Sequence, residues 1–409
     1  MQSASYYLRS GPALKASASV GRILPGIISG AADLDPAAVM TAVVVGASFG
    51  YSIGWVVIAC VPILWSVFSV SARLGLRSRR GLVEVIRLRR GKRSAVIVAT
   101  GMVAVNLAMI IADLRAVSDA FSVILQKSQI FFLVPVAFTV WWILIRGSFQ
   151  RVTRVLGALA LAQLAYLAAA VLATKSVTGL LRGIFLPRIV GTPDYAIAVI
   201  ALFGSLLTPD VIVWQTSSRR DSNQTHASEG DSHAGTFVAA LVSLSALVCA
   251  SALNVGDPAN MTTRMAAMAL APLGDLGPIF FSLGIIGSGL VALPILVASM
   301  CYSIAEAVDW KSGLSQNPWE ARFFYMLMSG AVFIAVITNF APLNTIKILY
   351  WSQVMAGVLV VPILWNILRL TNDRSVVGEP NSFFQNFWLG GAIGGSVVAN
   401  IIFLWSVLR

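Results

Sequence analysis

Stretches of about twenty apolar residues recur from one end of this chain to the other. The hydrocarbon core of a bilayer is roughly 30 Å thick, which a helix of about 20 apolar residues can cross. Inside lipid every backbone N–H and C=O must be satisfied within the protein, so only helices and closed barrels span it. Continuous apolar runs of this length read as helices. They fall at 23–48, 52–73, 94–123, 129–146, 153–174, 195–216, 233–254, 277–305, 321–340, 343–369 and 385–408. Eleven crossings leave nothing over for a sizeable soluble domain. Composition agrees, since 57% of the 409 residues are hydrophobic and 11% charged, where a soluble chain carries about 25% charged residues. The expected class is an all-α polytopic membrane protein.

The net charge of +12 would point to nucleic acid in a soluble protein. Here Arg73, Arg77, Arg79, Arg80, Arg87, Arg89, Arg90, Lys92 and Arg93 crowd one short connection that holds a single acid, Glu84. Such a loop stays on the cytoplasmic side. It is read as a topology signal, and nucleic acid is not an expected partner. The segment 1–22 and the N-terminus then lie in the cytoplasm, as does the loop with Arg146, Arg151 and Arg154, and the C-terminus lies outside. The polar connection 217–232 also falls inside; it carries His226, with His233 at its edge, and both read as solvated loop residues. Cys60, Cys249 and Cys301 sit in apolar runs and suggest no disulfide. No short cleavable signal precedes the first span, so the expected location is the inner membrane, with the lipid bilayer as the surrounding partner.

Two spans are interrupted. The first contains ADLDPAAV, with Asp35-Pro36 in mid-run, and the sixth contains LLTPDVIVWQ, with Thr208-Pro209-Asp210. Proline lacks the N–H donor and clashes with the preceding turn, and the carbonyls it frees are tolerated only where protein or a cavity satisfies them. Each break opens a block of five spans, 23–174 and 195–369, with the span at 385–408 outside both blocks. Carriers built from two inverted blocks bind their cargo where such helices are broken.

Asp33, Asp35 and Asp210 are costly at that depth, about 2.5–3.5 kcal/mol each on insertion scales. A bound cation would compensate them. Carboxylates, free carbonyls and water suit hard divalent ions. Each aspartate has an alternative reading as a half-helix cap. Thr208 lies at the second break, and Gln353, on the tenth span, is a further candidate ligand. Gln215 lies along the sixth span. Asp113, about nineteen residues into the third span, reads either as interfacial or as lining an outer vestibule; Arg115 and Asp119, four apart, are expected to pair at the surface.

These stretches resemble the NRAMP family of divalent metal transporters, above all its NRAMP-related, magnesium transporter-like branch. GIISGAADLDPAAVMTAVVVGASFGYSIGW is similar to the family's first helix and TPDVIVWQ to its sixth. FFSLGIIGSGLVALPILVASMCYSIAEAVDW is similar to the eighth helix and IKILYWSQVMAGVLVVPIL to the tenth. The resemblance implies a LeuT-type fold and secondary transport of divalent cations, with no cofactor, since the ion is cargo. It places the metal-binding aspartate at Asp35 and the tenth-helix glutamine at Gln353. The family's asparagine corresponds to Ala38, its methionine to Thr208, and the histidine beside that proline to Asp210. A second histidine, linked to proton transfer, corresponds to Gln215; the third-helix aspartate matches Asp113, and the glutamate three residues on is Ala116.

The sequence therefore reads as a monomeric carrier, not an enzyme, moving a divalent cation, Mg²⁺ or Mn²⁺, with weak or no proton coupling. Two alternatives stand beside it. One is a carrier of a small organic solute on the same fold; the other is a non-transporting membrane sensor.

Overall fold

The computed structural model describes residues 34–146, 159–174, 176–186, 189–221, 229–253, 261–314, 316 and 318–407. Asp33, His226 and the loop around it lie outside the described residues, and so does the part of the first span before Leu34. What is described is helical, and each expected span has a helical counterpart. Eight helices among the described residues are long and apolar enough to cross a bilayer, and a bent pair at Leu161–Ala173 and Val177–Phe185 would make a ninth. The helices Ile130–Ile145 and Gly235–Ala250 are apolar but shorter.

We label the helices in chain order. Pro36–Phe49 is α1, Trp55–Ser78 is α2, Leu82–Arg90 is α3 and Lys92–Leu125 is α4. Ile130–Arg146 is α5, Ala165–Ala173 is α6 and Val177–Phe185 is α7. The sixth span is split into α8, Pro193–Leu206, and α9, Pro209–Asp221; Glu229–Ala250 is α10. A short α11, Thr263–Ala267, leads toward α12, Gly277–Val308. Arg322–Asn339 is α13, Thr345–Thr371 is α14, Arg374–Val377 is α15 and Phe383–Val407 is α16.

Lipid supplies no hydrophobic drive between helices, so close approach through small residues holds such bundles together. The sequence provides it at specific crossings. Gly204 of α8 has no room for a Cβ because the Gln353 carbonyl and Gly357 of α14 lie against it, and Gly357 in turn meets the Ile200 carbonyl. Gly46 of α1 packs on the backbone of Leu247 in α10, and Gly75 of α2 on that of Thr216 in α9. Gly289 of α12 lies against Val117 of α4 and the ring of Pro36. These contacts bring α1, α4, α8, α12 and α14 around the two breaks.

At the arginine-rich end, α3 is fastened by a carboxylate in an otherwise apolar helix. Glu306 of α12 is buried and accepts hydrogen bonds from the amides of Val83 (3.1 Å) and Glu84 (3.3 Å). Its other oxygen accepts from Ser217 Oγ of α9 at 2.7 Å, and the Leu82 amide donates to Thr216 Oγ1 at 3.2 Å. A carboxylate at a helix start answers both the free N–H groups and the helix dipole. Leu82, Val83, Val85 and Ile86 are buried under α3, while Leu88 and Arg89 face out.

A Cβ on Gly81 would fall inside the Glu306 carboxylate, whereas one on Gly330 of α13 meets nothing. Gly81→Ala should therefore cost about 1–3 kcal/mol as an overpacked site. Gly330→Ala should be neutral or stabilise by up to about 1 kcal/mol through helix propensity. Thermal unfolding of the two purified variants beside the parent checks this; equal midpoints would show that Glu306 yields freely.

Candidate functional site

The first break is built around Pro36. Proline excludes the α-region for the residue before it, and Asp35 is extended, with φ −63° and ψ 164°. Proline at the first helical position loses no needed donor. Asp35 is the N-cap of α1: its Oδ1 accepts from the Ala38 amide at 2.5 Å. One oxygen is thus spent on the cap. The other, Oδ2, faces Gln353 Nε2 at a long 3.4 Å. Asp35 is 4% exposed.

The second break follows the same rules with the carboxylate on the other side of the proline. Leu207 closes α8, its N–H bonding the Phe203 carbonyl at 2.8 Å. Thr208 lies between the helices, Pro209 starts α9, and Asp210 is in its first turn. Thr208 and Asp210 are both buried. A cavity of about 20 Å³, room for roughly one water, lies beside Leu34, Ser205, Thr208 and Val211.

Gln353 is fully buried, and its Oε1 accepts no hydrogen bond among the described residues. A buried carbonyl oxygen without a donor is costly, about 1–3 kcal/mol, and a cation beside it would remove that cost. Asp113 differs from its expected interfacial or vestibular place: it is 0% exposed. The reason is packing: α12 and α14 lie along α4, and every residue from Ala112 to Ser118 is buried. The Asp113 carboxylate sits against the Ala37 backbone amide without a bond of good geometry.

Gln215 is half-buried in α9, and its carbonyl oxygen also lacks a donor. Arg115 and Asp119 are not a surface pair. Arg115 is buried and donates to Thr345 Oγ1 (3.1 Å) and to the Asn339 and Ala341 carbonyls (3.1 and 3.2 Å). Asp119 accepts from Thr345 (2.5 Å) and Thr263 (3.2 Å). They join the ends of α4, α13 and α14 instead of facing solvent.

One residue at the breaks carries no charge to give it away. Gln163 is buried, and its Nε2 lies 3.4 Å from both the Leu34 carbonyl, at the first break, and the Gly284 carbonyl of α12. A single amide inside ALALAQLAYLAAA is the signal that could have found it. Among the described residues no group of three or more His, Cys, Asp or Glu is close enough to hold a metal alone. Any ion held here must draw on amide, hydroxyl and backbone oxygens or water as well.

Two proline-broken helices with carboxylates, inside a multi-pass bundle, define a membrane carrier of the LeuT-type fold. A family model, Natural resistance-associated macrophage protein-like, matches residues 26–406. The chain belongs to the NRAMP family, a family of transporters and not of enzymes. It is 27% identical to a divalent metal cation transporter MntH of Deinococcus radiodurans, over 98% of this chain and 94% of that one. It is 24% identical to an MntH of Aeromonas hydrophila, over 92% of each. Among solved structures, the Eremococcus coleocola manganese transporter superposes with a TM-score of 0.69 at 16% identity, covering 97% of this chain and 88% of that one. MhsT, solved with L-phenylalanine, gives 0.62 at 13%, covering 94% and 98%.

Gln163→Leu removes the donor that both carbonyls share. We expect a loss of about 1 kcal/mol and faster amide exchange in the turn Asp35–Ala38, read by hydrogen-exchange mass spectrometry. Unchanged exchange would show that Gln163 does not hold the turn.

Proposed function

We propose that this chain is a carrier of divalent metal cations, which bind near the bilayer midplane between α1, α9 and α14. The observation that carries the reading is the pair of carboxylates buried at the breaks. Asp35 spends one oxygen on its helix and turns the other to Gln353, whose Oε1 accepts no hydrogen bond among the described residues, and Asp210 is buried in the first turn of α9. Carboxylates and a donorless amide oxygen buried at broken helices are suited to a cation. Asp35, Asp210, Thr208 and Gln353 are the proposed ligands, with Asp33 as a further candidate. The names of the relatives, divalent metal cation transporters, and of the manganese transporter of like fold support the same substrate class. The two five-helix blocks 23–174 and 195–369 are read as an inverted repeat. The chain is taken as a monomer in the inner membrane, with its N-terminus in the cytoplasm.

The ligand set is hard. Thr208 and Asp210 offer oxygen where the resembling family offers methionine sulfur and histidine nitrogen, and soft ligands are what favour transition metals. Mg²⁺ keeps several waters when bound, and Ala37 and Ala38 leave the site's edge small. We therefore expect Mg²⁺ to compete with Mn²⁺ for uptake into proteoliposomes at similar, millimolar-range concentrations. Strong Mn²⁺ uptake that Mg²⁺ fails to inhibit would overturn the hard-site reading. Asp35→Asn should abolish uptake and leave folding intact, and undiminished uptake would remove Asp35 from the site.

Proton coupling needs a group that titrates as the ion moves, usually histidine. Gln215 stands at the expected position, and it cannot take up a proton. The carboxylates Asp113 and Asp33 are the remaining candidates. We expect uptake that follows the ion gradient and membrane potential. A pH-sensitive dye trapped in the proteoliposomes tests this: metal-dependent acidification lost in Asp113→Asn or Asp33→Asn would show coupling through a carboxylate.

A further inference from the structure

The break before α9 leaves that helix without a continuous ladder to fix its rotation and its depth. α8 ends with the Leu207 amide on the Phe203 carbonyl at 2.8 Å, and α9 begins from the Thr208 carbonyl, which accepts from the Ile212 amide at a long 3.4 Å. Asp210 stands in that first turn. Where its carboxylate sits must therefore be set from elsewhere along α9. The helix is fastened at its other end, under the start of α3.

Two adjacent hydroxyls do the fastening. Ser217 Oγ donates to Glu306 Oε1 of α12 at 2.7 Å. Glu306 Oε2 accepts the amides of Val83 and Glu84, so one buried carboxylate joins α12 and the start of α3 to α9. Thr216 Oγ1 takes the neighbouring Leu82 amide at 3.2 Å. These are first-turn N–H groups of α3, which have no partner within their own helix. Thr216 is also closed in by α2: a Cβ on Gly75 would lie 2.7 Å from the Thr216 carbonyl oxygen. Three helices, α2, α3 and α12, thus grip α9 at Thr216 and Ser217. α3 itself is seated on its buried Leu82, Val83, Val85 and Ile86.

Ser217 follows Asp210 by seven residues, two turns and about 10.5 Å along the helix at 1.5 Å per residue. The two side chains therefore leave α9 on nearly the same face. A helix gripped at Ser217 has its rotation and depth fixed at Asp210 as well. We propose that Glu306, acting through Ser217, is a positioning residue for Asp210: it holds α9 in the register that sets where the Asp210 carboxylate stands at the second break. Asp210 enters here as a ligand of the carried ion, so the assignment rests on that reading. Glu306 itself does not touch the ion. Ligands held by a well-placed supporting shell bind, and a shift of about 1 Å in one of them is enough to weaken a site.

The test measures Mn²⁺ uptake into proteoliposomes, and hydrogen exchange over residues 209–213, for the full-length parent and its variants. Ser217→Ala frees α9 and leaves Glu306 on the amides of α3. It should raise KM by up to about tenfold, the worth of one hydrogen bond to a carboxylate, with little change in maximal rate. A purely structural loss would instead lower the rate, through fewer folded molecules, at unchanged KM. Glu306→Gln should raise KM in the same way, and the double variant should do no worse than the larger single one, because both cut the same contact. Arg87→Gln breaks the α3 ion pair with Asp309 of α12 and leaves both hydroxyls of α9 in place; its KM should match the parent's. Exchange at the start of α9 should quicken in Ser217→Ala and not in Arg87→Gln. Unchanged KM in Ser217→Ala would overturn the proposal, as would an equal rise in Arg87→Gln. If the parent takes up no divalent cation, the carrier reading fails, and exchange alone decides the latch: equal exchange in parent and Ser217→Ala would overturn it.

Discussion

The two breaks at Pro36 and Pro209 set the terms for everything around them. Inside a bilayer an interrupted helix is allowed only if protein or cargo meets the freed backbone groups. At the first break the chain meets them twice over. Asp35 takes the Ala38 amide and Gln163 reaches the Leu34 carbonyl. At the second, Leu207 turns its N–H back to Phe203, and Asp210 sits in the first turn of the next half-helix. Each half-helix start carries positive potential from its free amides. Placing an aspartate there stabilises the start and also fixes a buried carboxylate at the point where the helix opens.

Glycines turn those local breaks into one site. The Gly204–Gly357 crossing presses α8 onto α14, which brings Gln353 beside Asp35. Gly289 lets α12 lie on Pro36 and Val117 at once, so α1 and α4 share a neighbour at the first break. Any Cβ at these glycines would push the helices apart. The geometry of the site therefore depends on residues with no chemistry of their own.

Both breaks were legible in the sequence, because proline in mid-span has few permitted meanings and the adjoining aspartates follow from it. Gln353 was legible too, through its place on a helix resembling the family's tenth. Depth was not. Hydropathy marks where a span is apolar but not which helices cover it, and α12 and α14 bury α4 from Ala112 to Ser118, so counting from the apolar edge put Asp113 too near the surface. Arg115 was misplaced for a related reason: an arginine near a span's end reads as solvated, and its actual partners are the carbonyls of Asn339 and Ala341, over two hundred residues away. Glu306 and Gln163 stayed silent because a lone polar residue in a span reveals nothing of which backbone groups it will meet.

The fold alone does not choose the cargo. The same architecture superposes on a manganese transporter and on MhsT with L-phenylalanine bound. A bare half-helix start attracts a carboxylate, because its amides point into the cavity and its dipole is positive there. In this chain that position is already taken at the first break, where the Asp35 carboxylate accepts the Ala38 amide. At the second, Asp210 adds its own charge to the first turn of α9. An incoming carboxylate would find the Ala38 amide occupied and would meet the carboxylates of Asp35 and Asp210 at the two starts. At about 4 Å and an effective dielectric constant near 20, a single like-charge contact costs about 4 kcal/mol. A carboxylate at each helix start thus disfavours an anionic cargo at that point, and at the first break it is the same residue that caps the helix.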